Sequence, residues 1–346
     1  MSKPKLVITG RWGWAATSPL IYTLQRNLKY AHFGYTKSFS YLKFYYQQDV
    51  DGRTLVNDLK LAQQTGQRWA RTASTHLIDI HNRLQNGTWQ DWDSGEPSTH
   101  KMNTARDIEY LKDFPLDHFT KLITGIPTIS KYVDFYHALH DHVTSKGYKS
   151  VGDGYSLPRV RTNYIKPTEY MDRFYDTIKS EFDVKIIWIT RDPVRRAFSN
   201  YLREYQKFVD DSLYNLPLQL NFPDYIPRIL EFNNRFGKDN VHTVVMEELW
   251  EGDGTAVREL SDFLDHPISP SQLWKNLYAP DRGHLIQHDP EVPCQAYGQE
   301  LQELTPDLYN HYKQKYQYIY DKWVDYFGSL PLYWGQPLNY HTGKPL

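Results

Sequence analysis

The chain has 346 residues, 40% hydrophobic and 23% charged, the composition of a folded globular protein, which excludes disorder, collagen and coiled coil. At roughly 150 residues per domain the length suits two domains or one large α/β domain. Lysine and arginine number 40 against 41 acidic residues, a net charge of −1 that supplies no global basic field for duplex nucleic acid, and the single cysteine, Cys294, excludes an intrachain disulfide or a multi-thiolate metal site.

Residues 5–9 (Lys-Leu-Val-Ile-Thr) read as a short buried strand, followed by a loop over 10–16. Thr17-Ser18-Pro19 then starts a helix, a hydroxyl cap before a proline, and Leu20, Ile21, Leu24 and Leu28 form its apolar stripe. Residues 79–84, 107–112 and 131–143 read as helices, with a polar, turn-rich stretch at 86–103. Asn86-Gly87-Thr88 matches a glycosylation sequon but is read as a turn. Residues 148–151 form a strand ending in Gly152-Asp153-Gly154, and 167–180 a helix. Residues 184–190 (Val-Lys-Ile-Ile-Trp-Ile-Thr) are the best buried strand, and Asp192-Pro193 starts a helix to about 207. A strand at 241–246, a helix at 255–264 and a long helix from Thr305-Pro306 to about 327 complete the order. Alternation of this kind predicts an α/β fold, a central parallel sheet with helices on both faces. A single domain over 1–346 is expected, with an elaboration at about 40–145 and a helical segment at about 305–330. With no signal-like apolar region and no run of 18 apolar residues, a soluble cytoplasmic protein without a membrane span is expected. The 28 tyrosines, 10 tryptophans and 15 phenylalanines fit either aromatic packing or a glycan-facing cleft.

The first loop joins a strand to a helix N-terminus, where free backbone N–H groups favour an anion. Gly10 and Thr17 fit the spacing of a nucleotide phosphate loop, but Ala15 replaces its second glycine and Ala16 its lysine. The lysine that reaches the terminal phosphates of ATP is therefore missing. A shorter phosphate group or an ordinary strand–helix turn both fit.

The second loop runs Thr190-Arg191-Asp192-Pro193-Val194-Arg195-Arg196-Ala197-Phe198-Ser199-Asn200-Tyr201. Arg191 leaves the end of a buried strand, where open α/β sheets bind ligands. Ser199 lies two helical turns further on, on a face shared with Arg195. A guanidinium fork and a hydroxyl suit a phosphate monoester; arginines on a solvated helix face are the alternative. The segment resembles the second phosphate motif of sulfotransferases that use 3′-phosphoadenosine 5′-phosphosulfate (PAPS), R-[DN]-P-x-x-R-[AT]-x-S-x-Y. Arg191, Asp192, Pro193, Arg196, Ala197, Ser199 and Tyr201 match it. Residues 236–241, 244–249, 263–264 and 304–308 resemble later segments of the same family. By motif order the resemblance spans about 1–38 and 148–330.

The resemblance implies a P-loop-like architecture, PAPS as co-substrate and a glycan or small-molecule hydroxyl as acceptor, with no metal and no nucleic acid. It implies that Arg191 and Ser199 hold the 3′-phosphate and that the first loop (Gly13, Trp14, Ala15, Ala16, Thr17, Ser18) takes the 5′-phosphosulfate. The family's first loop carries a lysine where this chain has Trp14, and a glycine where it has Ala16. Sulfuryl transfer needs a clamp, a cation on the leaving phosphate and a base for the acceptor. Arg11 and Lys37 are the candidate cations, and Ser38 stands where some members carry the base. Asp153 is then the candidate base, unless it is only a turn aspartate. Trp69, Trp89 and Trp92 lie in the segment expected to help bind acceptor. His137 and His140 are three apart on a helix; a polar helix face is preferred to a zinc pair, since no third ligand is indicated. Adjacent Glu247 and Glu248 are read as structural. Two other readings are a nucleotide- or glycan-binding protein without catalysis, and a P-loop kinase relative, which the missing lysine opposes.

Overall fold

The computed structural model describes residues 3–11, 20, 24, 30–32, 111, 113–123, 129–156, 168–197, 224–268, 295–296, 299–300 and 305–337. They form an α/β fold, and the chain divides into two compact units, the first taking in residues up to 10 and 24–186, the second 11–23 and 187 onward. The sheet order is β2 (Tyr30–His32), β3 (Ser150–Ser156), β1 (Lys5–Arg11), β4 (Asp183–Thr190), β5 (Val241–Val245).

In the first unit, β1 (Lys5–Arg11) is buried from Leu6 to Gly10. Its unbroken apolar run, rather than an alternating one, is what a strand covered on both faces requires. The strand runs two residues past the expected end, so Arg11 closes β1 instead of opening the loop. β2 (Tyr30–His32) pairs in parallel with β3 (Ser150–Ser156), with Tyr30 opposite Ser150 and His32 opposite Gly152. β3 therefore continues through Gly152-Asp153-Gly154, which had read as its terminal turn. The glycines carry no side chain to oppose pairing, and the ladder overrides their turn preference.

Between these strands, α1 (Leu116–Ile123) precedes α2 (Ile129–Ser145). α2 buries Tyr132, Val133, Phe135, Tyr136, Leu139 and Val143, a stripe at helical spacing. It ends at Gly147 with φ +80, where the Tyr148 N–H donates to Val143 O at 3.0 Å. α3 (Thr168–Glu181) buries Phe174 and Ile178, and Phe174 meets the Tyr132 ring edge-on at 5.1 Å. β4 (Asp183–Thr190) follows, and its Asp183 N–H donates to Pro4 O at 2.9 Å.

The second unit holds the end of β4, where Ile187, Trp188 and Ile189 are fully buried. Residues 193–197 are helical. α4 (Ile226–Phe236) buries Ile226, Ile229, Phe232 and Phe236, and Phe232 lies 5.4 Å from Trp188. A 3-10 turn at Lys238–Asn240 leads into β5 (Val241–Val245). The Thr190 hydroxyl donates to Val244 O at 3.1 Å. Met246, expected in the strand, opens the short helix α5 (Met246–Glu251). α6 (Thr255–Leu264) matches its expected bounds, between Gly254 at φ +90 and Asp265 at φ +53. β6 (Gln295–Ala296) and β7 (Gln299–Glu300) form a small antiparallel pair.

The last helix is in fact two. α7 (Pro306–Lys315) starts as expected, with the Thr305 side chain accepting from the Leu308 N–H. It stops at Tyr316, whose φ −104 and ψ 11 leave the helical region, and α8 (Gln317–Phe327) resumes at once. The break turns Tyr316 inward, 2% exposed. The sequence has no proline or glycine there to announce it. Seven of the eight largest fully buried side chains among the described residues are tyrosines, so packing accounts for much of the tyrosine excess. No helix among the described residues is long and apolar enough to cross a membrane.

Candidate functional site

Six carboxylate or guanidinium groups are buried among the described residues, and five of them gather where β4 ends: Arg191, Asp192, Arg195, Arg196 and Glu247. Three cations face two acids. Burying charge costs several kcal/mol per ion unless each is paired.

Asp192 is the hub. Its Oδ1 accepts the Arg195 N–H at 3.1 Å, and its main-chain oxygen accepts the Arg196 N–H at 2.9 Å. These are the bonds of an N-cap residue followed by proline in the first helical position, as the sequence predicts. Its Oδ2 does more than the sequence shows. It accepts the Tyr309 hydroxyl at 2.8 Å, the Tyr320 hydroxyl at 2.9 Å and the Gly335 N–H at 3.1 Å. Four neutral donors thus surround one carboxylate. Burial, with the Asp192 charge next, pushes the Tyr320 hydroxyl well above its ordinary pKa, and the Tyr309 hydroxyl upward too. Both remain protonated donors.

Glu247, in the first turn of α5, is the second acid. Its Oε1 accepts the Asp192 N–H at 3.0 Å and lies 3.9 Å from Arg191 Nε and 3.8 Å from Arg195 Nη1. Its Oε2 accepts the Trp334 indole N–H at 3.1 Å. Burial raises its pKa, which the neighbouring arginines offset only in part. Glu248 points elsewhere and accepts the Leu332 N–H at 2.9 Å. The two adjacent acids therefore serve different partners, although on a helix rather than at a strand end.

The arginines are held by backbone and by aromatic neighbours. The Tyr225 hydroxyl donates to Arg191 O at 2.6 Å. Arg196 lies over the Tyr225 ring at 5.4 Å, a cation–π distance. Burial lowers the Arg196 pKa, opposed by Tyr225. Arg195 is 6% exposed, and its Nη2 is buried without a hydrogen-bond partner among the described residues. An unmet guanidinium donor beside a net positive cluster fits an anion such as a phosphate group.

In the first unit, Asp153 is fully buried in β3, and its Oδ2 accepts the Tyr132 hydroxyl at 2.8 Å. Burial first, then Asp153, holds that hydroxyl well above its usual pKa. Asp153 is thus a strand residue with a buried partner, not a turn aspartate. His137 stacks on Phe182 at 4.5 Å and lies 3.4 Å from Glu181 Oε2; His140 lies 3.5 Å from Asp141 Oδ1. No cluster of three or more metal-ligating side chains occurs among the described residues. Lys37, Ser199, the tryptophans at 69, 89 and 92, and the loop residues Gly13, Trp14, Ala15, Ala16, Thr17 and Ser18 lie outside the described residues, as does the Arg11 side chain.

Tyr225, Tyr309, Tyr320, Trp334 and Gly335 were not singled out in the sequence. Each is far from Asp192 along the chain, and tyrosines are too common here to stand out. Glu247 lies in the segment resembling a later family signature, which was the one signal available.

No family model matches the chain, and no curated protein matches it. Two similar solved structures are the sulfotransferase domain of the olefin synthase from Synechococcus PCC 7002 and sulfotransferase STF9 from Mycobacterium avium. The first is 15% identical, over 82% of this chain and 80% of that one, with a TM-score of 0.35. The second is 13% identical, over 95% and 78%, with a TM-score of 0.36. At such scores neither likeness bears on the chemistry of this chain.

Proposed function

We propose that the chain is a PAPS-dependent sulfotransferase acting on a hydroxyl of a glycan or small molecule. The observation that carries the reading is the buried cluster of three arginines and two acids at the end of β4, in which Arg191, Asp192 and Arg196 match the phosphate motif and Arg195 has a donor unmet among the described residues. A surface helix with arginines for solubility would leave them in water. In this reading Arg191 and Ser199 hold the 3′-phosphate, and the 13–18 loop holds the 5′-phosphosulfate. Arg11 or Lys37 stabilises the leaving phosphate, and Asp153 takes the acceptor proton. The bond broken is sulfur to the phosphate's bridging oxygen, and the bond formed is sulfur to the acceptor oxygen.

Calorimetric titration with adenosine 3′,5′-bisphosphate against ATP tests the donor class, and labelled-sulfate transfer to a panel of glycans and phenols tests catalysis. Bisphosphate binding in preference to ATP, with transfer to one acceptor class, is expected. Preference for ATP would sink the reading. A second reading, nucleotide binding without transfer, draws on Trp14 at the lysine position; bisphosphate binding with no transfer to any acceptor would favour it.

A further inference from the structure

We infer that the segment 331–337 is a positioning latch for the loop that carries Arg191 and Arg195. The inference rests on the reading of that loop as a phosphate site. Four hydrogen bonds tie the segment down. The Leu332 N–H donates to Glu248 Oε1 at 2.9 Å, the Trp334 indole to Glu247 Oε2 at 3.1 Å, and the Gly335 N–H to Asp192 Oδ2 at 3.1 Å. Gly335 O accepts from Lys313 Nζ at 2.7 Å.

The pattern at the two buried acids is the point. Each divides its oxygens between the latch and the loop. Asp192 turns Oδ2 to Gly335 and Oδ1 to the Arg195 N–H. Glu247 turns Oε2 to Trp334 and Oε1 to the Asp192 N–H and both guanidinium groups. Rotation of either carboxyl group away from the latch therefore carries its other oxygen away from the loop. Trp334 is itself fixed by rings, 4.4 Å from Trp323 and 5.7 Å from Tyr225, and Tyr225 also holds Arg191 O. Gly335 has φ +75, and a Cβ there would lie 3.3 Å from Lys313 Nζ. Only glycine takes this backbone shape at no steric cost.

Trp334→Phe keeps a ring in the stack and deletes the indole N–H. Gly335→Ala strains the backbone that delivers the other donor. Both are made in the full chain, with Val257→Ala, a buried α6 position, as a control for lost stability. Hydrogen–deuterium exchange over 190–197 should speed up about tenfold in the two latch variants, selectively for that stretch, and not selectively in the control. Titration with adenosine 3′,5′-bisphosphate should show Kd raised about tenfold in both latch variants and unchanged in the control. Parent-like exchange at 190–197 in both variants overturns the latch. So does parent-like affinity in both, where the parent binds. A parent that takes up no bisphosphate, with the exchange response intact, supports the latch and removes the nucleotide reading instead.

Discussion

Arg191 is positioned from both ends. Tyr225 fixes its carbonyl, and Glu247 faces its side chain across 3.9 Å, too far for a hydrogen bond. Arg191→Ala should weaken bisphosphate binding by roughly 1.5–3 kcal/mol, the worth of a charge-assisted hydrogen bond. Calorimetry giving equal affinity in mutant and parent would remove the central residue of the proposed site. Glu247 supplies a different test. Its folded-state pKa is raised by burial, so the native protein holds this proton more tightly than the unfolded chain. Stability from this group is then greatest at low pH and falls as pH rises above the ordinary carboxylate value of about 4.5. Glu247→Gln should flatten that part of the pH–stability curve, measured by denaturant titration across pH 4–8. A slope identical to the parent's would mean that the arginines fully compensate the burial. The motif from Arg191 to Tyr201 was legible because a cap, a proline and a strand-end cation are local features. Asp192's other donors were not, because no local rule links position 192 to 309, 320 or 335.

Elements were read well where propensity and burial agree. β4 and α6 carry strong periodic or continuous apolar patterns bounded by clear stops, and they appear almost as expected. Misreadings came where tertiary contacts outweigh local signals. Gly152 and Gly154 look like a turn but sit in a strand, and Tyr316 breaks a helix that its neighbours would continue. β5 carries a pH test of its own. His242 stacks on Phe263 of α6 at 5.2 Å, and burial pulls its pKa down to about 4. Its native form is neutral, so its contribution is complete above the unfolded value near 6.5 and is lost as pH falls toward 4. The ring is only partly buried, which limits the loss to about 2 kcal/mol. His242→Phe keeps the stack and cannot protonate. It should show a smaller loss of stability between pH 6.5 and 4 than the parent. An unchanged acid limb would place the proton elsewhere.

At the scale of the molecule, charge is balanced overall and concentrated locally. A net charge of −1 supplies no global field to draw in an anion, so an anion at the proposed site would be held by local groups, the buried cluster at the end of β4 among them. Mass action then predicts that adenosine 3′,5′-bisphosphate at a hundredfold excess over Kd adds about 2.7 kcal/mol of stability. That corresponds to a rise in Tm of about 4 °C. ATP at the same concentration should shift Tm less. Equal shifts would move the chain toward the kinase reading.

Asp192 has one further consequence, in time rather than in space. Three of its donors come from positions 309, 320 and 335, the last of them 143 residues further along the chain. During synthesis the strand and its cap exist long before those partners do. Contacts of such sequence separation form late, because the chain must first close a long loop. The loop that follows β4 is therefore among the last parts of the protein to mature. In refolding, helical signal should recover ahead of bisphosphate binding. A ribosome paused before residue 335 would carry a chain with its strands made and the proposed phosphate site still slack.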